Sequence, residues 1–204
     1  MSSESPPRAP LSRADVIAQA RALIEADGLE QLSLRRLADR LGVTAPALYA
    51  HVANKDDLVQ AVTDGELDAI IEHLQAPEGD PVAALQQFCR DYVDHALAHP
   101  NLYRALATHP PWQGVVEAVD PNSSKARTGL TDRFSIIYDT VADAVDRGDL
   151  RPIEPMVALL VLWTAVHGLV EVLLLEVIPS AGIRDRLMDE LISSTLSGLR
   201  APAA

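Results

Sequence analysis

The chain has 204 residues, enough for one large domain or two small ones with a substantial core, and its 48% hydrophobic content excludes an extended disordered protein. Seventeen Lys and Arg stand against 29 Asp and Glu, a formal net charge of −12, which excludes polyanion binding by overall charge. Residues 1–55 hold seven basic and six acidic side chains and the remainder ten and 23, so the first quarter of the chain alone is suited to approach a polyanion.

The opening MSSESPPRAP is polar and proline-rich and lacks the apolar run of a secretory signal. Residues 1–11 are therefore expected to form a disordered arm, and the cytoplasm is the expected compartment. From Ser12, a plausible N-cap, Val16, Ile17, Ala20, Leu23 and Ile24 recur at helical spacing, with Gly28 as a left-handed stop; this predicts a helix over about 13–27. Ser33 caps a second pattern in which Leu34, Leu37, Ala38 and Leu41 face inward and Arg35, Arg36 and Arg40 face solvent, ended by Gly42. Thr44 is a good N-cap for a third helix, about 45–51, since Pro46 in the first turn breaks no helical hydrogen bond.

Two short helices separated by LGVT have the arrangement of a helix-turn-helix. Leu48 and Val52, one turn apart, can anchor the second of them. Thr44, Ala45, Ala47, Tyr49 and His51 then lie on or near the open side, where small residues let a helix N-terminus approach base edges and its dipole favours phosphate.

Beyond it, NKDDLVQAVTDGELDAIIEHLQA predicts a long helix from Asn54 to about Gln75, with Asp56 and Asp57 favourable in its first turn. Asp80 and Pro81 open another to about His99, Asn101 starts a short one, THPPWQG is a break, and residues 120–129 look like a loop. Helices are expected over about 128–147, 155–178 and 183–199, with no strand pattern and no internal repeat. The segment VALLVLWTAVHGLVEVLLL is long enough to suggest a membrane span, but Glu171 would cost about 2.5–3.5 kcal/mol near a bilayer centre, and no cationic flank marks a cytoplasmic side. It is expected instead at a core or subunit interface. Lone Cys89, in the helical pattern LQQFCRDYV, is expected to be buried and inert.

Over residues 12–62 the combined pattern IAQARALIEADGLEQLSLRRLADRLGVTAPALYAHVANKDDLVQAV resembles the tetracycline-repressor (TetR) family of bacterial transcription regulators. Val52 stands where many relatives carry Phe, but LYxHVxNK occurs in the tetracycline-repressor branch itself. LWTAVHGLVEVLLLE, residues 162–176, looks like the Trp/His-Gly helix of some C-terminal domains of that family. The resemblance implies an all-α fold: a three-helix helix-turn-helix DNA-binding domain over 12–54 and a larger helical effector-binding and dimerisation domain over 55–200. It implies DNA contacts from Arg35, Thr44, Ala45, Pro46, Ala47, Tyr49, His51 and Lys55. The residue types agree: Arg can fork onto guanine, Thr and Tyr hydroxyls can donate to phosphate, and small methyls can pack on thymine.

The expected function is a sequence-specific regulator, a homodimeric repressor of a palindromic operator released by a small, largely apolar effector. The dimer would form through helices 155–178 and 183–199, the latter with Leu187, Leu191 and Ile192 on one side. Tyr92, His95, Tyr103, Trp112, Phe134, Tyr138, Trp163 and His167 supply the aromatic and polar groups an effector pocket would use. His95 and His99 stand at i, i+4, a metal-capable spacing, yet no third ligand is evident, so no metal or cofactor is expected. The competing class is a helical hydrolase-like enzyme using His95, His99 or His167; no nucleophile motif or phosphate loop supports it.

Overall fold

A computed structural model describes residues 10–72, 79–109, 132–178 and 180–202, with side chains from 135 onward in the third stretch. The described residues form nine α-helices and no sheet; one antiparallel bridge joins Leu150 to Arg200. In chain order these are α1 (Arg13–Asp27), α2 (Leu34–Leu41), α3 (Ala45–Leu48), α4 (Lys55–Ile71), α5 (Pro81–Ala98), α6 (Pro100–Thr108), α7 (Asp132–Asp146), α8 (Pro155–Leu174) and α9 (Ala181–Leu199). The expected THPPWQG break beyond His109 and the 120–129 loop lie outside the described residues.

Local chemistry accounts for most of the ends. Ser12 and Asp15 form a reciprocal capping box on α1, Ser33 accepts from the Arg36 N–H, and Asn54 accepts from that of Asp57. Asp80 and Glu154 cap α5 and α8, each with a proline in the first turn. Gly42 is left-handed at φ 65°, ψ 37°, whereas Gly28 is not the left-handed stop expected: at φ 84°, ψ 161° it occupies a region essentially reserved for glycine.

Two helix ends and one cap differ from the sequence reading. The third helix, expected over 45–51, keeps α-helical form only over Ala45–Leu48, because Tyr49 and His51 donate to Pro46 and Leu48, three residues back, and tighten the chain. Its expected cap, Thr44, has extended backbone but makes no side-chain capping hydrogen bond. The apolar helix expected to reach residue 178 stops at Leu174: Glu176 takes φ 54°, a conformation usually left to glycine, and donates its N–H to the Leu173 carbonyl.

Two clusters of buried side chains organise the molecule. The head cluster gathers Val16, Ala20, Leu23 and Ile24 of α1, Leu37 and Ala38 of α2, Leu48 and Val52, then Leu58, Val59 and Val62 of α4. It also takes in Leu102 and Ala105 of α6, while Tyr103 and Leu106 of that helix belong to the body cluster built around α5, α7, α8 and α9. One helix thus has a face in each core.

The α8 helix is long and apolar enough to cross a membrane, but here Leu159, Leu162, Val166, Leu169 and Leu173 pack inward while Val157, Leu160, Val161 and Val172 stay exposed. On α9, Ile192 is buried in the chain's own body cluster, while Leu187 and Leu191, expected from the sequence at a dimer interface, are half-buried and pack against that cluster beside α8 and α5.

Candidate nucleic-acid face and the polar junction behind it

The outer side of the head is built around one anchor. Leu48 is fully buried beneath α3, and this fixes what its neighbours can do: Thr44 and Pro46 are exposed, Tyr49 is 59% exposed, and Ala45, Ala47 and His51 are half-buried. Arg35 and Arg40 point to solvent from α2. Arg36, read from sequence as a solvated charge, instead pairs with Asp27 at 2.7 Å. Lys55, half-buried, is the first residue of α4. The eight residues singled out in the head therefore fall around α3 and the starts of α2 and α4, with Arg35, Thr44, Pro46 and Tyr49 the most open.

A pair not foreseen from the sequence holds this surface. The Arg13 guanidinium donates to the His51 carbonyl and to both carboxylate oxygens of Asp57, at 3.2 and 2.8 Å, while Asp57 also accepts the Ala53 N–H at 2.8 Å. The hydrogen bonds from Arg13 and Ala53 hold the Asp57 carboxyl below its ordinary range, and the Asp57 hydrogen bond raises Arg13. Arg13 thereby ties the start of α1 to the end of the α3 turn and to the first turn of α4. A contact 44 residues apart leaves no periodic signal.

Behind the head lies a second polar group, also unforeseen as a unit. Glu66 of α4, 3% exposed, receives Arg21 at 2.6 Å (Nε to Oε1) and meets His95 Nε2 at 2.9 Å. Arg21 also reaches Glu25 at 3.0 Å, and Glu25 meets His99 Nδ1 at 2.6 Å. Burial pushes the Glu66 carboxyl up, but the hydrogen bonds from His95 and Arg21 and their charges outweigh it, so the group lies below the ordinary carboxylate range. His95, expected among effector-site residues, thus turns to the head. The i, i+4 spacing of His95 and His99 was legible; their acidic partners, 29 and 74 residues away, were not.

Four other aromatic and imidazole candidates, Tyr92, Tyr103, Trp163 and His167, come together one turn earlier along α5. The Tyr103 hydroxyl donates to Glu171 at 3.0 Å and lies 3.0 Å from His167 Nδ1; Tyr92 approaches the same nitrogen at 3.4 Å. Trp163 stacks on His167 with ring centroids 4.8 Å apart, and Tyr92 meets Tyr103 edge-on. Burial drives both phenols well above their ordinary range and keeps them neutral. Glu171, weighed in the sequence only as a membrane penalty, is the one Asp, Glu, Lys or Arg of α8. Tyr138 packs against the body core away from this group's hydrogen bonds, Trp112 lies outside the described residues, and the Phe134 side chain does too. The three histidines considered for hydrolysis are split: His95 and His99 face the head's carboxylates, His167 the tyrosines.

A three-helix head with an open face beside α3, carried on a helical body, defines the class of helix-turn-helix proteins with a C-terminal helical domain. The chain belongs to the tetracycline-repressor family of bacterial transcriptional regulators: residues 16–62 match the model for bacterial regulatory proteins of the tetR family, and 85–195 that of the tetracyclin repressor-like C-terminal domain. An HTH-type transcriptional regulator of Saccharopolyspora erythraea is 35% identical over 107 residues, 51% of this chain and 43% of the relative. An uncharacterised HTH-type transcriptional regulator of Mycobacterium tuberculosis is 28% identical over 167 residues, 79% of this chain and 70% of the relative. The crystal structure of a TetR variant from Acinetobacter baumannii AYE in complex with minocycline shares the fold at a TM-score of 0.68, 21% identical, covering 93% of this chain and 96% of that one.

Proposed function

We propose that the protein is a homodimeric, cytoplasmic repressor that binds a palindromic operator through residues 12–54 and is released by a small, largely apolar effector held in the domain 55–200. The observation that carries this reading is the open face around α3, where buried Leu48 leaves Thr44, Pro46 and Tyr49 outward beside Arg35. Arg35 reads a base edge, Thr44 and Tyr49 donate to phosphate, Ala45, Pro46 and Ala47 allow close approach, His51 flanks them, and Lys55 meets phosphate from the start of α4. The exposed Val157, Leu160, Val161 and Val172 of α8 support pairing of two copies. Such pairing sets two heads one helical turn apart, about 34–36 Å on DNA.

Tyr92, Tyr103, Trp163 and His167 support the effector site, with Tyr138, His95, Trp112 and Phe134 as its further candidates. Among the described residues Glu171 has no Lys or Arg partner, and the two phenols are held neutral, so the site favours a neutral or cationic ring-bearing molecule over an anion.

The test is a gel shift of the full chain against DNA upstream of its own gene, with light scattering to count subunits. Matched cationic, neutral and anionic aromatic compounds are then screened for DNA release, with Trp163→Ala and His167→Ala in parallel. A specific complex of a dimer, released by neutral or cationic compounds in the wild type alone, is the expected result. No sequence preference refutes the DNA reading, and release by anions only refutes the effector reading.

A further inference from the structure

Five ionisable side chains from three helices meet behind the head. Arg21 and Glu25 come from α1 and Glu66 from α4; His95 lies in the last turn of α5 and His99 ends it. From α6, Asn101 donates to the Glu25 carbonyl at 2.9 Å and holds Arg104, which is exposed, at 3.3 Å. Glu66 sits where α4 passes from the head cluster, ending at Val62, to the body cluster, beginning at Leu67.

The charges do not balance with both imidazoles neutral. One guanidinium faces two carboxylates, leaving one net negative charge in a partly buried place. One proton on the histidines neutralises it. A second would leave a net positive charge with the two ring centroids 4.9 Å apart, which like-charge repulsion opposes. Glu66, held below the ordinary carboxylate range, stays ionised near neutrality, so the mobile proton resides on imidazole.

That proton would act across a joint. The carboxylates belong to α1 and α4 and the imidazoles to α5, so protonation converts neutral hydrogen bonds between head and body into charge-assisted ones, roughly twice as strong. We propose that this cluster takes up one proton, shared by His95 and His99, between pH 8 and pH 5, and that its uptake locks α1 and α4 onto α5 and makes operator affinity respond to pH. The operator step rests on the function proposed above; the structural step does not.

Three measurements on the full chain separate these parts. Imidazole 15N shifts followed from pH 8.5 to 5, assigned with His95→Gln and His99→Gln, should show a coupled titration amounting to one proton over the two rings. Amide exchange in α1, corrected for intrinsic rate, should slow several-fold from pH 7.5 to 5.5, as expected when neutral hydrogen bonds across the joint become charge-assisted. The double glutamine variant should lose that change. Fluorescence anisotropy with a DNA duplex selected by the chain from a random pool should show several-fold pH dependence beyond that left in the double variant, with His51→Gln as the control for a head histidine.

Two imidazoles that stay neutral to pH 5, or that each gain a full proton independently, overturn the one-proton site. An exchange change that survives in the double variant overturns the joint. Should that variant misfold, Glu25→Gln, which keeps the shape and removes one negative charge, must lower the proton uptake in the imidazole titration; unchanged uptake overturns the proposal. A pH-sensitive joint with pH-independent operator binding overturns the regulatory step alone.

Discussion

Leu48→Ala is the sharpest probe of how the reading face is held, because α3 is four residues long and Leu48 is its fully buried side chain. The substitution removes three carbon-sized groups from a cluster that includes Val16, Leu37 and Val52. At about 0.8 kcal/mol each the transfer loss is about 2.4 kcal/mol, and an incompletely collapsed cavity brings the total to roughly 3–4 kcal/mol. Spread over a chain of this size, that lowers a melting midpoint by roughly 10 °C. Trp163 stacks on His167 in the body, so tryptophan fluorescence read in a Trp112→Phe background follows the body while far-UV circular dichroism follows all the helices. The variant should develop an early loss of helical signal in circular dichroism that precedes the fluorescence transition, and operator affinity should fall more than tenfold at 25 °C. Coincident transitions at the wild-type midpoint, with affinity unchanged, would refute the claim that one buried leucine positions α3.

The remaining outcomes can be checked separately. Arg35→Ala should cost about 1–3 kcal/mol in specific binding and relax discrimination at one base pair, whereas Lys55→Ala should weaken binding to every sequence and lower the salt slope by about one; selection from randomised duplexes and a salt titration distinguish them. Val161→Arg, on the exposed side of α8, should give monomers or aggregates by light scattering, since a two-fold interface would bury the charge twice; a soluble dimer competent for DNA would contradict that interface. Because the folded-state pKa of Glu66 is depressed, its stabilisation is complete above the ordinary value of about 4.3 and is lost as pH falls through the lower folded value. Urea midpoints from pH 3 to 6 should therefore rise with pH more steeply in the wild type than in Glu66→Gln. Burial pushes the Cys89 thiol up to about 12, so a thiol reagent at pH 8 should label the native chain far more slowly than the urea-unfolded one.

The helices were legible because their signals are local. Ser12, Ser33, Asp80 and the glycines after α1 and α2 mark ends within a few residues, and the stripe Val16, Ala20, Leu23 names its own buried face. The exposed side of α3 followed once Leu48 was recognised as the anchor. The ends that moved were set by backbone geometry: Glu176 adopts a conformation no propensity assigns to glutamate, and two three-residue-back bonds shorten α3. The polar contacts were hidden for another reason. Arg13 with Asp57, Arg21 with Glu66, and Tyr103 with Glu171 join residues 44 to 68 apart, and pairing at that range depends on how helices cross. For α9 the apolar stripe was visible, but which surface it would meet, its own body or a second copy, was not written in its period.

The two-faced packing of α6 bears on how such a chain can be taken apart. A fragment ending at residue 72 would contain all of α1 to α4 and still lack Leu102 and Ala105, which lie fully buried in the head core. Its hydrophobic centre would be open to water at the place where α6 docks. Recombination that joins this head to a foreign body must therefore bring along, or reproduce, a helix contributed some thirty residues further on. The portable unit is discontinuous, and a chimera designed on a contiguous boundary inherits a hole.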